Sequence, residues 1–240
     1  MSAGSRRAGS GTAPRAADAG ATRAGDAGPG VPVRVTRRLV LRGFTEADRE
    51  SFAAMNADPE VTRYLQGPMS RERSDAFVDR IDSCWSERGY GLWALEHRDT
   101  GAFLGYTGLW PADFLPSGPA VEVGWRLARP AWGHGFASEA ARETLRFGFT
   151  EVGLPEIVSF TPGVNTPSLR VMAAIGLVRD PGRDFDHPRV DATAYPELVR
   201  HLVHALDASV WRAAPTTAAE PGAPRNPPAT RAPAGGETCG

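Results

Sequence analysis

Residues 125–137 read W-R-L-A-R-P-A-W-G-H-G-F-A, and this stretch decides how the chain folds. An alternating run over 121–127 leads into it, and a helical pattern over 137–152 leads out. Between them sit Gly133 and Gly135. The first amides of a helix have no intrahelical partner, and the helix dipole favours negative charge beside them. Glycine lets a backbone approach a phosphate with no Cβ in the way. Strand, glycine turn and helix start therefore predict a site for a phosphorylated ligand.

Outward from that turn, the pattern gives an order of elements. Residues 31–41 alternate and are rich in Val, which predicts a first strand. Thr45 and Asp48 open a helix that Asp58-Pro59 stops. Ser70 caps a second helix, with Phe77, Ile81, Cys84 and Trp85 on one stripe. Strands follow at 92–97, 103–110 and 120–127, the first two joined by the turn Arg98-Asp99-Thr100-Gly101. After the long helix come a strand at 156–161, a helix opened by Thr166 as cap with Pro167 at its first position, and a short strand at 177–179. Residues 180–196 read as a polar, Pro-rich loop, and 198–206 as a last strand, with a helix as the competing reading. The order β-α-α-β-β-β-α-β-α-β-β predicts an α+β fold: a mixed, mostly antiparallel sheet with helices on both faces.

Composition bounds the rest. Residues 1–32 and 211–240 are dominated by Ala, Gly, Pro, Thr and Arg, too poor in large apolar groups to order themselves, so one domain is expected over 33–210. The 27 basic residues are all Arg, the mark of a compositional bias and not of phosphate binding, and the net charge of −1 implies no nucleic acid partner. Cys84 and Cys239 make no disulfide framework and no metal spacing, so no metal is expected. No run is long enough to span a membrane, and the first residues lack the apolar segment of a secretory signal. A cytoplasmic protein, monomer or homodimer, is the expectation.

The element order and two motifs resemble the GNAT superfamily of acyl-CoA-dependent N-acyltransferases. The closer likeness is to its RimJ/RimL-type branch, which includes acetylases of ribosomal-protein N-termini. The motifs are V-E-V-G-W-R-L-A-R-P-A-W-G-H-G-F-A-S-E-A (121–140) and S-F-T-P-G-V-N-T-P-S-L-R-V-M-A-A-I-G-L (159–177), and the likeness covers roughly residues 35–208. The resemblance implies acetyl-CoA as co-substrate in a splayed cleft. It implies that the amides of Gly133, His134, Gly135 and Ala137 cradle the pyrophosphate. The main chain of Trp125, Arg126 and Leu127 would pair with the pantetheine amides, a splay expected to need a bulge in that strand. Trp132, which replaces the superfamily's Gln or Arg, belongs to the same donor site, as do Phe136, Asn165, Ser168 and Arg170.

The second motif bears on the chemistry. Many family members carry a Tyr on the helix after the fifth strand as acid for the leaving thiolate, and here that position is Met172, which cannot donate a proton. Ser168, four residues earlier on the same helix face, is the candidate acid by resemblance. Its alternative is a helix-start serine that satisfies backbone amides. Glu122, a carboxylate among Val121, Val123 and Trp125, is the candidate base for the acceptor amine, the alternative being a solvated position or a structural pair with an arginine such as Arg126. Asp113, Asp184, Asp186 and Glu197 are weaker candidates for that task, and His187 in D-F-D-H-P is another. His134 is expected to act through its amide, not its ring.

The acceptor, a small-molecule or peptide amine, is expected between the first two helices and the 180–196 loop. Tyr64, Leu65, Trp93, Trp110, Phe114, Phe185 and Tyr195 are its expected wall, with ordinary core as the alternative for each. The loop's acids hint at a cationic substrate, and its arginines blunt the hint. No Cys lies in either motif, so direct transfer in a ternary complex is expected over a covalent acyl-enzyme. The competing readings are a catalytically idle acyl-CoA-binding module and a transferase using a longer acyl donor.

Overall fold

In the computed structural model, which describes residues 30–214, the first strand is a tight hairpin instead of one run over 31–41. Its arms are β1 (Arg34–Val35) and β2 (Leu39–Arg42), closed by the Thr36 amide donating to the Leu39 carbonyl at 2.9 Å. The Thr45 amide and hydroxyl both donate to the Asp48 carboxylate at 2.8 Å, but Thr45 is not the cap: α1 runs over Asp48–Ala57 with Ala47 as its N-cap residue, and the Thr45 hydroxyl is spent on the Asp48 side chain instead of a helix amide. Arg42 bridges the same carboxylate at 2.7 Å, fastening α1 to β2. Turns carry the chain to α2 (Arg71–Arg88), where the Ser70 hydroxyl accepts from the Arg73 amide and Gly89 stops the helix at φ +69°.

Three antiparallel strands follow: β3 (Leu92–His97), β4 (Phe103–Ala112) and β5 (Ala120–Leu127). The long helix is α3 (Phe136–Phe147) and is shorter than the periodicity suggests. From Gly148 to Val152 the chain widens into a π turn, and a Cβ at Gly148 would lie 2.6 Å from Ile157 Cδ1. Then come β6 (Glu156–Pro162), α4 (Thr166–Ala174) and β7 (Val178–Arg179). The polar loop contributes the two-residue β8 (Phe185–Asp186) and the one-turn α5 (Pro196–Val199). The last strand, β9 (Arg200–Asp207), prevails over the helical alternative because it forms a full ladder with β6.

Among the described residues the sheet runs β1-β2-β3-β4-β5-β6-β9-β7, with β8 on the side of β9. Every pairing is antiparallel except β5 with β6, which is parallel and consists of one pair, Glu122 opposite Val158. Beyond that pair the two central strands separate. The expected bulge in β5 is not the cause, since β5 pairs with β4 without a break from Ala120 to Leu127. The register shift lies instead between Leu95 and Glu96 of β3.

Side-chain alternation gives the sheet two faces. Tyr106 and Trp110 of β4 face α1 and α2, where Phe52 and Phe77 meet them at 6.0 Å and 5.8 Å. Trp93 points to the other face and meets Phe147 of α3 at 5.0 Å. The core holds Leu39, Leu41, Leu95, Leu109, Leu145 and Ile157, all essentially sealed from solvent. Each such side chain contributes about 1.5–3 kcal/mol of burial.

The expected tails fall almost wholly outside the described residues. At the C-terminal side a final helix, α6 (Ala208–Ala213), continues past residue 210 and stacks Trp211 against Phe149 at 5.3 Å. Among the described residues no helix is long and apolar enough to cross a membrane.

Candidate active site

The divergence of β5 and β6 opens a cleft of about 830 Å³. One wall is β5, the other is the end of β6 with the start of α4, and the mouth is the glycine turn. Gly133 and Gly135 sit in the left-handed region at φ +77° and +76°, which an L side chain resists. A Cβ built on Gly133 meets nothing within 4 Å, so the turn faces open space. Gly135 is the N-cap residue of α3, and among the described residues no side chain caps that helix start. Its first amides are therefore left for an anion, and the residues present fit a pyrophosphate.

An arginine not singled out in the sequence buttresses this turn. Arg38, on the β1–β2 hairpin, donates to the His134 carbonyl at 2.8 Å and pairs with Glu139 of α3 at 2.7 Å. Its guanidinium lies 4.7 Å over the Phe136 ring. Burial raises the Glu139 carboxyl, but hydrogen bonds from Thr36 and Arg38 and the Arg38 charge outweigh it and hold the group below its ordinary value. The hairpin thus locks the phosphate turn from behind. The paired arginines Arg37-Arg38 in a turn and an acid in the first turn of α3 were the available signals. His134 stacks on Phe136 at 5.5 Å, is not part of the cleft lining, and its carbonyl is engaged by Arg38.

Trp132 is held by its indole N–H, which donates to the Leu127 carbonyl at 2.8 Å. The ring stays 45% exposed at the mouth of the cleft. Trp125, Arg126, Leu127, Phe136 and Ala137 line the cleft beside it, and Asn165, Ser168 and Arg170 line the facing wall.

The helix cap on that wall is Asn165, which corrects the assignment to Thr166. The Asn165 side-chain oxygen accepts from the Ser168 amide at 3.3 Å. Its NH₂ group donates to Thr161 Oγ1 at 2.8 Å and to Ser168 Oγ at 3.1 Å. Ser168 is thereby relieved of capping, and its hydroxyl oxygen is used as an acceptor. Its own proton has no acceptor among the described residues. Met172, where a tyrosine would stand, is buried.

Glu122 reaches the cleft from β5 and leans over Gly124, whose Cβ position lies 3.8 Å from Oε1. Among the described residues its carboxylate has no hydrogen bond and no ion pair. Burial pushes its carboxyl up to about 8. The structural alternative, a pair with Arg126, does not form: Arg126 donates to Asn56 Oδ1 at 2.5 Å and lies 5.4 Å over the Tyr106 ring.

The weaker candidates stand away from the cleft. Asp113 faces Arg88 at 3.7 Å, Asp184 is bridged by Arg179 and accepts from the Val203 amide, and Asp186 faces Arg200 at 3.2 Å. Glu197 is exposed on α5. His187 stacks on His201 at 4.7 Å within a separate cluster that holds Phe114, Phe160 and Phe185. Burial, with help from His201 and Arg189, pushes His187 down to about 4. Of the expected acceptor wall, Tyr64, Leu65 and Trp110 do line the cleft. Trp93 is core, with its indole N–H on the Pro32 carbonyl, and Phe114 and Phe185 belong to the separate cluster. Tyr195 lies over Gly67 outside the lining.

Comparison with known proteins agrees with this geometry. Residues 38–178 match the model of the acetyltransferase (GNAT) domain, more than half of the chain. The uncharacterized protein YkkB of Bacillus subtilis is 34% identical over 149 residues, 60% of this chain and 83% of that one. The FsC-acetyl coenzyme A-N(2)-transacetylase of Aspergillus fumigatus is 30% identical over 154 residues, 61% of this chain and 65% of that protein. Among solved structures, an acetyltransferase from Agrobacterium tumefaciens superposes with a TM-score of 0.61 at 28% identity, over 73% of this chain and 94% of that one. With a parted sheet, an uncapped helix start behind two left-handed glycines and a matching domain model, the chain belongs to the GNAT acetyltransferase family.

Proposed function

We propose that the protein transfers acetyl from acetyl-CoA directly to a primary amine in a ternary complex. The observation that carries this reading is the pairing of functions across one cleft. Glu122 on β5 and Ser168 on α4 line it from opposite sides; among the described residues the Glu122 carboxylate has no partner, and Ser168 keeps its hydroxyl proton free while its oxygen accepts from Asn165. The amides of Gly133, His134, Gly135 and Ala137 take the pyrophosphate, while the parted edge of β5 at Trp125, Arg126 and Leu127 offers its main chain to the pantetheine arm. Trp132, Phe136, Asn165 and Arg170 complete the donor wall.

In the transfer the amine nitrogen forms the new bond to the thioester carbonyl carbon and the carbon–sulfur bond breaks. Glu122, directly or through water, takes the proton that the amine gives up. Ser168 gives a proton to the departing sulfur. Asn165 donates to the Ser168 oxygen and so turns its hydrogen outward. A base that titrates near 8 is matched to an α-amino group, whose ordinary value is about 7.7–8.0. Ser168 as the candidate acid, with Met172 at the tyrosine position, and Trp132 at the head of the glycine signature support the RimJ/RimL-type branch.

Calorimetric titration with acetyl-CoA, paired with a thiol-release assay over an amine and peptide panel, tests the proposal. Binding with acceptor-dependent thiol release is the expected result. Binding without release from any acceptor would favour an idle acyl-CoA-binding module, and no binding would defeat both readings.

A further inference from the structure

The face of the sheet beneath α1 and α2 carries a slot that the donor does not account for. In the β4–β5 register, Tyr106 stands opposite Arg126, Gly108 opposite Gly124, and Trp110 opposite Glu122. All but Gly108 line the cleft. Gly124 thus leaves a gap between an acid at one end and a guanidinium at the other, beside two aromatic rings. The two glycines are there for different reasons. A Cβ on Gly108 would fall 2.2 Å from the Gly91 carbonyl oxygen, so close backbone packing requires that glycine. A Cβ on Gly124 would meet nothing nearer than Glu122 Oε1 at 3.8 Å, and its φ is not in the left-handed region. The fold tolerates a side chain at 124, so the glycine there keeps space open.

The guanidinium is held as a recognition group is held. Arg126 Nη1 donates to Asn56, which is fully buried and in turn donates to Ser74 Oγ at 2.9 Å. Tyr106 supports the guanidinium from one side. Among the described residues no carboxylate pairs with Arg126. Its remaining donors are a fork suited to a carboxylate.

We infer that the acceptor is a zwitterion, an amine that carries its own carboxylate, with Arg126 as the anchor for that carboxylate and the gap over Gly124 as its seat. The inference rests on the transfer reading above, which sets the amine at Glu122. Strand rise places Gly124 and Arg126 about 7 Å apart, and Glu122 already reaches back over Gly124. That span suits the two ends of a dipeptide. A base matched to an α-amino group agrees with the same class. Polyamines fit poorly: Glu60 and Glu122 are the carboxylates of the lining, against Arg63, Arg126 and Arg170.

The test is thiol release from acetyl-CoA with phenylalanyl-alanine, its C-terminal amide and spermidine as acceptors. The free acid should exceed the amide in kcat/KM by about tenfold or more, the effect of one charge-assisted pair. Arg126→Gln should bring that ratio to within about twofold of one, and Arg126→Lys should restore part of it. Gly124→Val should raise KM for the dipeptide more than it weakens acetyl-CoA binding, and the acetyl-CoA titration reports that each variant is folded. An amide equal to or better than the acid, or an acid-to-amide ratio unmoved by Arg126→Gln, overturns the inference and leaves transfer intact. Acetyl-CoA binding with thiol release from none of these acceptors, nor from the wider amine panel, refutes transfer itself, and the inference falls with it.

Discussion

Replacing Glu122 with Gln reads the state of the cleft through stability as well as rate. In the folded protein the carboxyl titrates near 8, and in the unfolded chain near 4.5. Between those values the folded state holds a proton that the unfolded state has lost, so stability falls as pH rises through this window and levels off above it. A carboxyl moved from 4.5 to about 8 costs at most about 5 kcal/mol in its ionised form. The residue is half-buried against an open cleft, so hydration offsets part of that, and about 2 kcal/mol is the expected size. Gln fills the same space and carries no charge. For a domain of this size each kcal/mol moves Tm by about 2–4 °C. The Tm of Glu122→Gln minus that of the wild type should therefore grow by about 4–8 °C between pH 5 and pH 9. Differential scanning calorimetry across that range makes the measurement. The same proton should appear in kcat/KM, which rises over the window in which stability falls in the wild type and is lowered about 10²-fold in the variant. A Tm difference independent of pH would show that Glu122 ionises like a hydrated carboxylate and would refute both its burial and its matching to the amine.

Three further outcomes follow from the same geometry. Ser168→Ala should lower kcat by about 10²-fold while acetyl-CoA affinity, read by calorimetry, changes little; an unaltered kcat leaves the sulfur without its donor in this serine. Gly135→Val forces a β-branched residue to φ +76° at the start of α3, so CoA affinity should fall by tenfold or more, a cost of about 1–2 kcal/mol of left-handed strain. Trp93→Ala should cost about 3–5 kcal/mol in chemical denaturation, because Trp93 is sealed between Trp85 and Phe147; a change in acceptor KM without loss of stability would return it to the acceptor wall.

The glycine turn of the candidate donor site was legible in the sequence because it is made of backbone. Two glycines, a strand before them and a helix after them are local, and their spacing survives in the one-dimensional string. The parting of β5 from β6 was legible in outcome and misread in cause. A bulge is a local device, whereas the observed parting comes from a parallel pair that ends after Glu122 and Val158, a tertiary fact about where α3 carries the chain. The hairpin at 36–39 was hidden because alternation continues across it, and only the long-range grip of Glu139 on Thr36 and Arg38 shows the turn is needed. Thr166 looked like the cap by residue type, but Asn165 reaches the Ser168 amide and a threonine on the β6 end as well.

The proposed acceptor half was less legible, for the opposite reason. Its groups are side chains brought together from α1, β4 and β5, far apart in the chain, and nothing in the spacing of Asn56, Tyr106 and Arg126 announces that they touch. Aromatic residue type is a poor guide there. Trp93 and Trp110 differ by strand parity: Trp93 shares a face with Thr107, and Trp110 with Tyr106, so one joins the core under α3 and the other faces the cleft. Parity also explains the acid. Glu122 occupies a cleft-facing position that the rest of β5 gives to Gly124 and Arg126, and a carboxylate kept there without a partner among the described residues costs the fold stability. A carboxylate that costs stability and faces the proposed amine site is what the proposed reaction predicts, and it is the loss of thiol release in Glu122→Gln, set beside its change in stability, that separates an enzyme from a fold that merely holds the donor.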